Sequence, residues 1–236
     1  MVASIAPLEI RWEKLPDDFV LPDDPVDNIA QPALAAALTD ALNTAGRLPA
    51  HALTTTNYGI CATVNEKVVV KAPDWAYIPG ISVARADVHR SYTPQLQGDF
   101  PLIVMEFLSD TEGSEYSIKP TYPPGKWYFY ERVLQAPYYV LFDLETETLE
   151  VYHLGDSKRY ELTDPNDDGH YWIPEMALAL GLWSGQRENR QGVWLRWWDA
   201  EGNLLLWGSE GMAAERQRAE QLATQLRALG VDPNSL

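Results

Sequence analysis

The sequence predicts an α/β protein, and three observations lead to that class. Two apolar runs, at residues 102–108 and 138–143, have the length and flanking turn residues of strands buried on both faces. An Ala- and Leu-rich segment that begins at Pro32 and stops at Gly46 has helical spacing. Residues 149–162 alternate between apolar and polar side chains, as a hairpin with one solvent-facing side does. At 236 residues the chain can form one large domain with a solid core, with or without appendages.

Charge bears directly on any nucleic-acid function of the chain. The net charge is −16, from 34 acidic and 18 basic residues, whereas nucleic-acid-binding proteins usually carry a basic footprint. The cations are unevenly placed, however, and several of them fall within residues 85–90 and 117–132. A contact with nucleic acid would therefore require a local basic rim on an acidic body.

Cysteine content and hydropathy limit the compartment. The single cysteine, Cys61, excludes an intramolecular disulfide and a cysteine-based zinc cluster, and its apolar neighbours predict an inert position in a strand. No apolar run approaches the roughly 20 residues of a membrane span. The N-terminus lacks a basic region ahead of an apolar one. We therefore expect a cytoplasmic protein with no membrane partner.

The N-terminal part predicts an arm, a helix and a hairpin. Residues 1–29 are rich in Pro and Asp and predict an arm that lies on the domain, with one short edge strand. The helix from Pro32 contains a single acid, Asp40, which is either solvated or directed toward a functional site. Residues 58–64 and 68–71 predict a hairpin, because both are rich in β-branched side chains and a short polar turn joins them.

The first acid of interest, Asp74, follows Pro73 where the predicted hairpin ends. Proline cannot donate a ladder hydrogen bond, so the strand reaches an edge or a kink at this point. A kinked strand end presents its side chain at the rim of a sheet, where functional sites are often found. An aspartate beside proline is also a common turn-capping residue, and the sequence alone leaves both interpretations open.

The second acid, Glu106, interrupts the apolar run of residues 102–108. A carboxylate in such a strand is costly to bury unless a cation meets it, and a purely structural ion pair would satisfy that need. Downstream, residues 110–124 contain three prolines and predict a flap, and residues 126–134 predict a short helix. Lys126 and Tyr130 are four residues apart and share one face of that helix.

The C-terminal part predicts a tryptophan-rich extension. Residues 194–210 predict a hairpin that turns at residues 201–203, with aromatic side chains for a core or an interface. A helix predicted from Ala213 has a thin apolar stripe, which suits docking on its own domain or pairing with another copy in a homodimer. The predicted division is an arm at residues 1–29, a core domain at residues 30–190 and an extension at residues 191–236.

Asp74, Glu106 and Lys126 supply three residue types that phosphodiester hydrolysis uses. Two carboxylates that converge from adjacent strands can bind Mg²⁺, a hard ion that prefers oxygen ligands, and Mn²⁺ can substitute for it. The ion polarises a phosphoryl oxygen and lowers the pKa of a bound water. A lysine ammonium group can orient that water or stabilise the charge that develops at phosphorus.

These residues resemble the PD-(D/E)xK nuclease superfamily and, within it, the Uma2-type endonucleases, also called the DUF820 family. The likeness covers roughly residues 30–180, and the residues that carry it are Pro73-Asp74, residues 104–109 with Thr111 and Glu115, Lys126 with Tyr130, and residues 138–143. The resemblance implies a restriction-endonuclease-like fold, a mixed β-sheet flanked by helices, with the Trp-rich hairpin and the C-terminal helix as additions. It also implies a Mg²⁺-dependent DNA endonuclease.

The resemblance further implies the site residues. Asp74 and Glu106 would bind the metal, and Glu115 and Tyr130 would support them. The superfamily pattern places a lysine two residues after the second acid, where this chain has Leu108. The family recruits its lysine from the next helix, which indicates Lys126, with Lys119 as the alternative. Many members also contribute an acid from the first helix, where only Asp40 is available.

Two other classes of function compete with a nuclease. A catalytically degraded nuclease fold that acts as a binding or assembly module fits the charge of −16 and the Trp-rich tail. A glycosidase with a carboxylate pair fits the aromatic content, but it leaves Lys126 unexplained and needs a sugar-sized cleft between the acids. Serine and cysteine nucleophile mechanisms find no support, because the sequence lacks GxSxG and its four histidines form no spaced pair.

Overall fold

The structure is a computed structural model that describes residues 8–20, 29–108 and 115–229. It is a mixed α/β protein with one six-stranded sheet, two three-stranded sheets and helices on both faces of the larger sheet. Ser109, Thr111 and the first half of the predicted flap lie outside the described residues.

The elements follow the predicted order along the chain. The strands are β1 (Ile10–Arg11), β2 (Leu53–Thr55), β3 (Ile60–Val64), β4 (Lys67–Lys71), β5 (Trp75–Ile78), β6 (Ile103–Leu108), β7 (Tyr138–Asp143), β8 (Thr148–Leu154), β9 (Tyr160–Leu162), β10 (Tyr171–Ile173), β11 (Leu178–Arg187) and β12 (Arg190–Trp198). The helices are α1 (Gln31–Thr44), α2 (Lys126–Tyr128), which continues as a π-helical segment (Phe129–Leu134), and α3 (Gly208–Ala228).

The large sheet has the strand order β2-β5-β6-β7-β8-β9. Only its central pair, β6 and β7, is parallel, and the connection between these two strands contains α2. The remaining neighbours in this sheet are antiparallel. The mixed sheet that the resemblance implied is therefore confirmed, and its two central strands are the two apolar runs of the sequence.

Alternation along β6 divides the core into two layers. Met105 and Phe107 face α1 and pack with Trp75 on the neighbouring strand. Val104 faces the opposite layer, where the π-helical segment and β3 pack against it. Because successive side chains of a strand point to opposite faces, Glu106 faces this second layer and not α1.

The hairpin of β3 and β4 forms a small sheet with β1. Asn65 and Glu66 connect the two strands with positive φ angles, 48° and 64°, in the left-handed conformation that tight hairpin turns need. The hairpin and the short edge strand of the arm are thus as predicted. The predicted kink at Pro73 is also found, because β4 ends at Lys71 and the chain joins the large sheet only at Trp75.

The C-terminal hairpin differs from its prediction. The partner of β12 is the upstream strand β11, with nine residue pairs from Ala179↔Trp198 to Arg187↔Arg190. The turn at residues 201–203 brings back only Leu204, which forms an isolated bridge with Trp198. The upstream segment offers ten residues for pairing, whereas the downstream segment soon begins α3, so the longer ladder forms.

Helix α3 begins at Gly208, five residues before the predicted start at Ala213. None of its residues is buried within the part of the chain that the structure describes, and Leu222 and Leu229 are exposed. The homodimer therefore stays a prediction, as does the division at residues 29/30 and 190/191. In the three described segments, none of the helices combines the length and the apolar character that a membrane span requires.

Candidate active site

Asp74 and Glu106 meet at the point where β5 joins β6. The antiparallel register pairs Trp75 with Met105, so one further step places Asp74 opposite Glu106. The carboxylate of Asp74 accepts a hydrogen bond from the backbone N–H of Phe107, with an N···Oδ2 distance of 2.7 Å. The two carboxyl groups are close enough for a side-chain hydrogen bond when one of them is protonated.

Glu106 is almost completely buried, with 1% of its surface exposed. Its Oε1 accepts a hydrogen bond from the Tyr130 hydroxyl at 2.7 Å, and its Oε2 accepts one from Lys126 Nζ at 3.0 Å. Each oxygen of the buried carboxylate therefore has its own donor. The predicted convergence of an acid from β6 with a lysine and a tyrosine from the next helix is observed.

The start of α2 positions these two donors. Gly125 precedes the helix and donates its backbone N–H to the carbonyl of Lys119 at 2.9 Å, which closes the loop before the helix. An added Cβ at Gly125 would lie 2.0 Å from the carbonyl oxygen of Ser117, so only glycine fits. Wider π-type turns follow from Phe129, an arrangement that is frequent at functional sites. Lys126 and Tyr130 both reach Glu106 from this helix.

Glu115 completes the set of acids. Its Oε1 lies 3.0 Å from Lys126 Nζ, so that one ammonium group contacts two carboxylates. Its backbone carbonyl accepts a hydrogen bond of 2.9 Å from the hydroxyl of Tyr139 on β7. Glu115 is thereby fixed to the same face of the sheet as Glu106.

Burial governs the electrostatics of the site. Desolvation raises the pKa of Glu106 to about 8, since the opposing effect of Lys126 is partly cancelled by the nearby Asp74. Desolvation likewise raises the pKa of Asp74, although the Phe107 N–H and Lys126 favour its charged form. Burial lowers the pKa of Lys126, but Glu106 and Glu115 outweigh that effect and raise it above its ordinary value. The acids are therefore undercompensated, whereas the lysine stays charged.

This donor set fits a divalent cation. Asp74, Glu106 and Glu115 share one directly paired ammonium group, and a metal ion would supply the compensation that the raised pKa values of the first two indicate is missing. Among residues 8–20, 29–108 and 115–229, no group of three or more His, Cys, Asp or Glu side chains forms a complete metal cage. Mg²⁺ does not need one, because it usually takes one or two protein carboxylates and completes its shell with water and phosphate.

Two predicted residues lie elsewhere. Asp40 is on α1, behind the opposite face of the sheet, where its carboxylate accepts hydrogen bonds from Arg187 at 3.3 Å and from the backbone N–H of Gly208. It does not join Asp74 and Glu106. Lys119 is exposed, and the lysine that contacts Glu106 is Lys126.

Sequence reasoning missed two residues near the site. Gln31, at the start of α1, donates its Nε2 to the carbonyl of Phe107 at 2.7 Å and is buried beside β6. Lys71, the last residue of β4, is half-buried and interacts electrostatically with Lys126 and Glu106. The position of Lys71, three residues before Asp74, was the available signal for it. No pattern in the sequence indicated Gln31.

A six-stranded mixed sheet with helices on both faces, and with acids gathered where its central strands end, is a restriction-endonuclease-like fold. The chain belongs to the Uma2 family, whose model is described as "Putative restriction endonuclease" and matches residues 9–188. Membership suggests a nuclease with DNA as its substrate, and proteins of this fold usually use a divalent metal ion. A comparison with curated proteins gave no match.

Proposed function

We propose that this protein is a metal-dependent DNA endonuclease that hydrolyses phosphodiester bonds at Asp74, Glu106 and Lys126. The observation that supports this proposal is the buried hydrogen-bond network around Glu106. A glutamate with 1% exposure touches a lysine and a tyrosine and lies beside a second acid from the neighbouring strand. A purely structural ion pair would not require a third and a fourth charged group at the same point.

In this proposal Asp74 and Glu106 would bind Mg²⁺, with Mn²⁺ as a substitute. When bound, such an ion polarises a phosphoryl oxygen and lowers the pKa of a water molecule, which makes the attacking nucleophile available near neutral pH. Tyr130 holds the Glu106 carboxylate in one orientation through its 2.7 Å hydrogen bond. The backbone N–H of Phe107 does the same for Asp74.

Lys126 has the chemical role of a charge stabiliser. Its raised pKa keeps the ammonium group protonated at neutral pH, so it acts as a cation and a hydrogen-bond donor and not as a base. An ammonium group at this position would stabilise the negative charge that develops on the phosphoryl oxygens in the transition state. Glu115 orients it from the other side with a contact of 3.0 Å.

A glycosidase is a weaker alternative on this geometry. The two carboxyl groups of a retaining glycosidase are about 5 Å apart and those of an inverting one are farther apart, because a sugar or a water must fit between them. Asp74 and Glu106 are instead close enough for a shared hydrogen bond. Lys126 would also have no role in that reaction.

The test is a nicking assay on supercoiled plasmid DNA with Mg²⁺ or Mn²⁺. Glu106→Gln and Asp74→Ala should abolish nicking and leave the fold intact by circular dichroism. Glu161→Gln is the matched control, since Glu161 is an exposed carboxylate on the outer strand β9, and it should retain full activity. Unchanged nicking in Glu106→Gln would refute the assigned site.

The same variants separate an enzyme from a binding or assembly module. An enzyme should gain thermal stability on titration with Mg²⁺ or Mn²⁺, because a ligand that binds only the folded state stabilises it, and Asp74→Ala should remove that gain. A wild-type protein that shows neither metal-dependent stabilisation nor nicking would instead favour the degraded-nuclease module.

A further inference from the structure

Three lysines near the candidate site carry charges that the described residues do not neutralise. Lys67 and Lys71 are on β4, and Lys119 is on the loop that leads to α2. Within the described segments, the side chain of each of these lysines makes no ion pair with a carboxylate, whereas Lys126 contacts two. In a chain with 34 acids and 18 cations, three unpaired lysines in one region call for an explanation.

Lys71 is the member of this group nearest to the site. It is half-buried, and its ammonium group interacts with those of Lys126 and Lys119 and with the carboxylate of Glu106. Burial and the two lysines lower its pKa, which means that its positive charge lacks a compensating partner. An anion next to Glu106 and Lys126 would supply that compensation.

Lys67 extends this positive region along β4. Lys67, Val69 and Lys71 are on one face of the strand, and four residue steps separate the two lysines by roughly 13 Å. The Lys67 ammonium group lies 4.9 Å from the ring centroid of Tyr122, and the Tyr122 hydroxyl donates to the carbonyl of Val68 at 3.2 Å. These contacts fix the loop that contains Tyr122 against β4.

Lys119 belongs to that same loop. Its side chain is exposed, and its backbone carbonyl is held by Gly125 at the start of α2. Its charge acts on Lys71, so the two ammonium groups lie in one neighbourhood although they come from separate elements. The three lysines therefore define one surface, the lysine strip, which begins beside the candidate site and runs outward along β4.

We propose that the lysine strip of Lys67, Lys71 and Lys119 binds the phosphodiester backbone of a DNA strand and leads it to Glu106 and Lys126. This inference rests on the proposed nuclease function and adds the surface that holds the substrate. One strand of B-DNA presents a phosphate about every 3.4 Å along the helix axis, so a strip of roughly 13 Å spans several phosphates.

The strip also explains how a protein of charge −16 can bind a polyanion. Binding of this kind depends on the charges at the contact and on the counterions released there, and not on the total charge of the protein. Lys67 and Lys119 would contact phosphates at a distance from the scissile bond. Lys71 would contact the phosphate closest to it and offset the repulsion from the acids of the site.

The test measures the salt dependence of binding to a fluorescein-labelled DNA duplex by fluorescence anisotropy, with Ca²⁺ in place of Mg²⁺. The variants are Lys67→Gln, Lys71→Gln, Lys119→Gln and their combination, and Lys71→Arg restores the charge. Lys158→Gln is the matched control, because Lys158 is exposed in the turn between β8 and β9 and forms no ion pair with the described residues. The slope of log K against log [salt] should fall by about one for each lysine removed.

The expected result is a slope smaller by about two to three in the triple variant and an unchanged slope in Lys71→Arg and Lys158→Gln. A triple variant with the wild-type slope would overturn the strip, and nicking by the wild type would then leave the proposed function standing. Wild-type protein that neither binds nor nicks DNA would overturn both. If Lys71→Gln does not fold, the double variant of the exposed Lys67 and Lys119 decides the question, with an expected slope smaller by about two.

Discussion

The hydroxyl of Tyr130 lies 2.7 Å from Oε1 of Glu106, and both side chains are buried in the layer between the π-helical segment and the sheet. Burial, together with the charge of Glu106, raises the pKa of Tyr130, so its hydroxyl keeps its proton and acts as a donor. The hydrogen bond fixes the orientation of the carboxylate. It also couples the stability of the fold to the geometry of the candidate site.

Replacing Tyr130 by Phe tests this coupling. The variant should fold, but its free energy of unfolding should fall by about 1–3 kcal/mol, because a buried acceptor loses its donor. Nicking activity should fall as well, since Glu106 is no longer held in position. Urea unfolding and the plasmid assay measure the two effects. Tyr128→Phe is the control, because Tyr128 is on the same helix and its hydroxyl has no hydrogen-bond partner among the described residues.

Tyr128→Phe should change the free energy of unfolding by no more than about 0.5 kcal/mol. A Tyr130→Phe variant as stable as the control would mean that the Glu106 carboxylate does not depend on this donor.

Lys126→Met should lower turnover more than metal affinity. The substitution keeps most of the side-chain length and removes the charge that contacts Glu106 and Glu115. The two carboxylates then repel each other more strongly and attract a cation at least as well, whereas the transition state loses its stabilising charge. Calorimetric titration with Mn²⁺ and single-turnover nicking measure the two quantities. An equal loss of both would reassign Lys126 to metal binding.

The pKa of Glu106 predicts how stability changes with pH. Between its ordinary value of 4.5 and its folded value of about 8, the folded protein retains a proton that the unfolded chain has released. The stability of the metal-free protein should therefore fall as the pH rises through this range, by at most about 1.4 kcal/mol per pH unit from this group. Lys126 stays charged throughout, because its pKa is raised.

Denaturant unfolding in EDTA at several pH values tests this dependence. Glu106→Gln has no such proton to release, so its stability should change less steeply between pH 5 and pH 8 than that of the wild type. Mg²⁺ binds the charged form, and its stabilising effect should grow as the pH rises through the same range. A wild-type profile that matches the Glu106→Gln profile would show that Glu106 titrates normally.

The site could be predicted where a local pattern contradicts its surroundings. Glu106 stands out because an acid in a strand buried on both faces demands a partner, and the i,i+4 spacing of Lys126 and Tyr130 supplies two on one helix face. Asp74 stands out through Pro73, which ends the ladder. Those inferences need only neighbouring residues and the alternation of strands.

Residues whose position depends on long-range packing were harder to predict. Asp40 has helical neighbours that fit either face of the sheet, and only the packing of α1 against Trp75 and Met105 places it on the far side from Glu106. Lys71 approaches the site because β4 leaves one sheet just before β5 enters another, which no periodicity records. The partner of β12 was likewise decided by the length of β11, and not by the turn residues that follow β12.

The buried Arg196 predicts how α3 is attached to the domain. Its guanidinium group is completely buried, lies 3.4 Å from the ring centroid of Trp207 and contacts both carboxylate oxygens of Glu210, at 3.2 Å and 2.7 Å. Glu210 also accepts the backbone N–H of Trp207 at 2.8 Å, so it joins the start of α3 to β12. Breaking this pair on one side would leave a buried charge without a partner.

Glu210→Gln should therefore lower the free energy of unfolding by about 3–5 kcal/mol, whereas Arg196→Met combined with Glu210→Gln should cost less than Glu210→Gln alone. Thermal and urea unfolding of the single and double variants give the coupling energy. The control is the exposed pair Arg216 and Glu220 on the same helix, whose removal should cost about 0.3–0.5 kcal/mol. A double variant less stable than Glu210→Gln would mean that Arg196 contributes mainly through its packing on Trp207, and not through its charge.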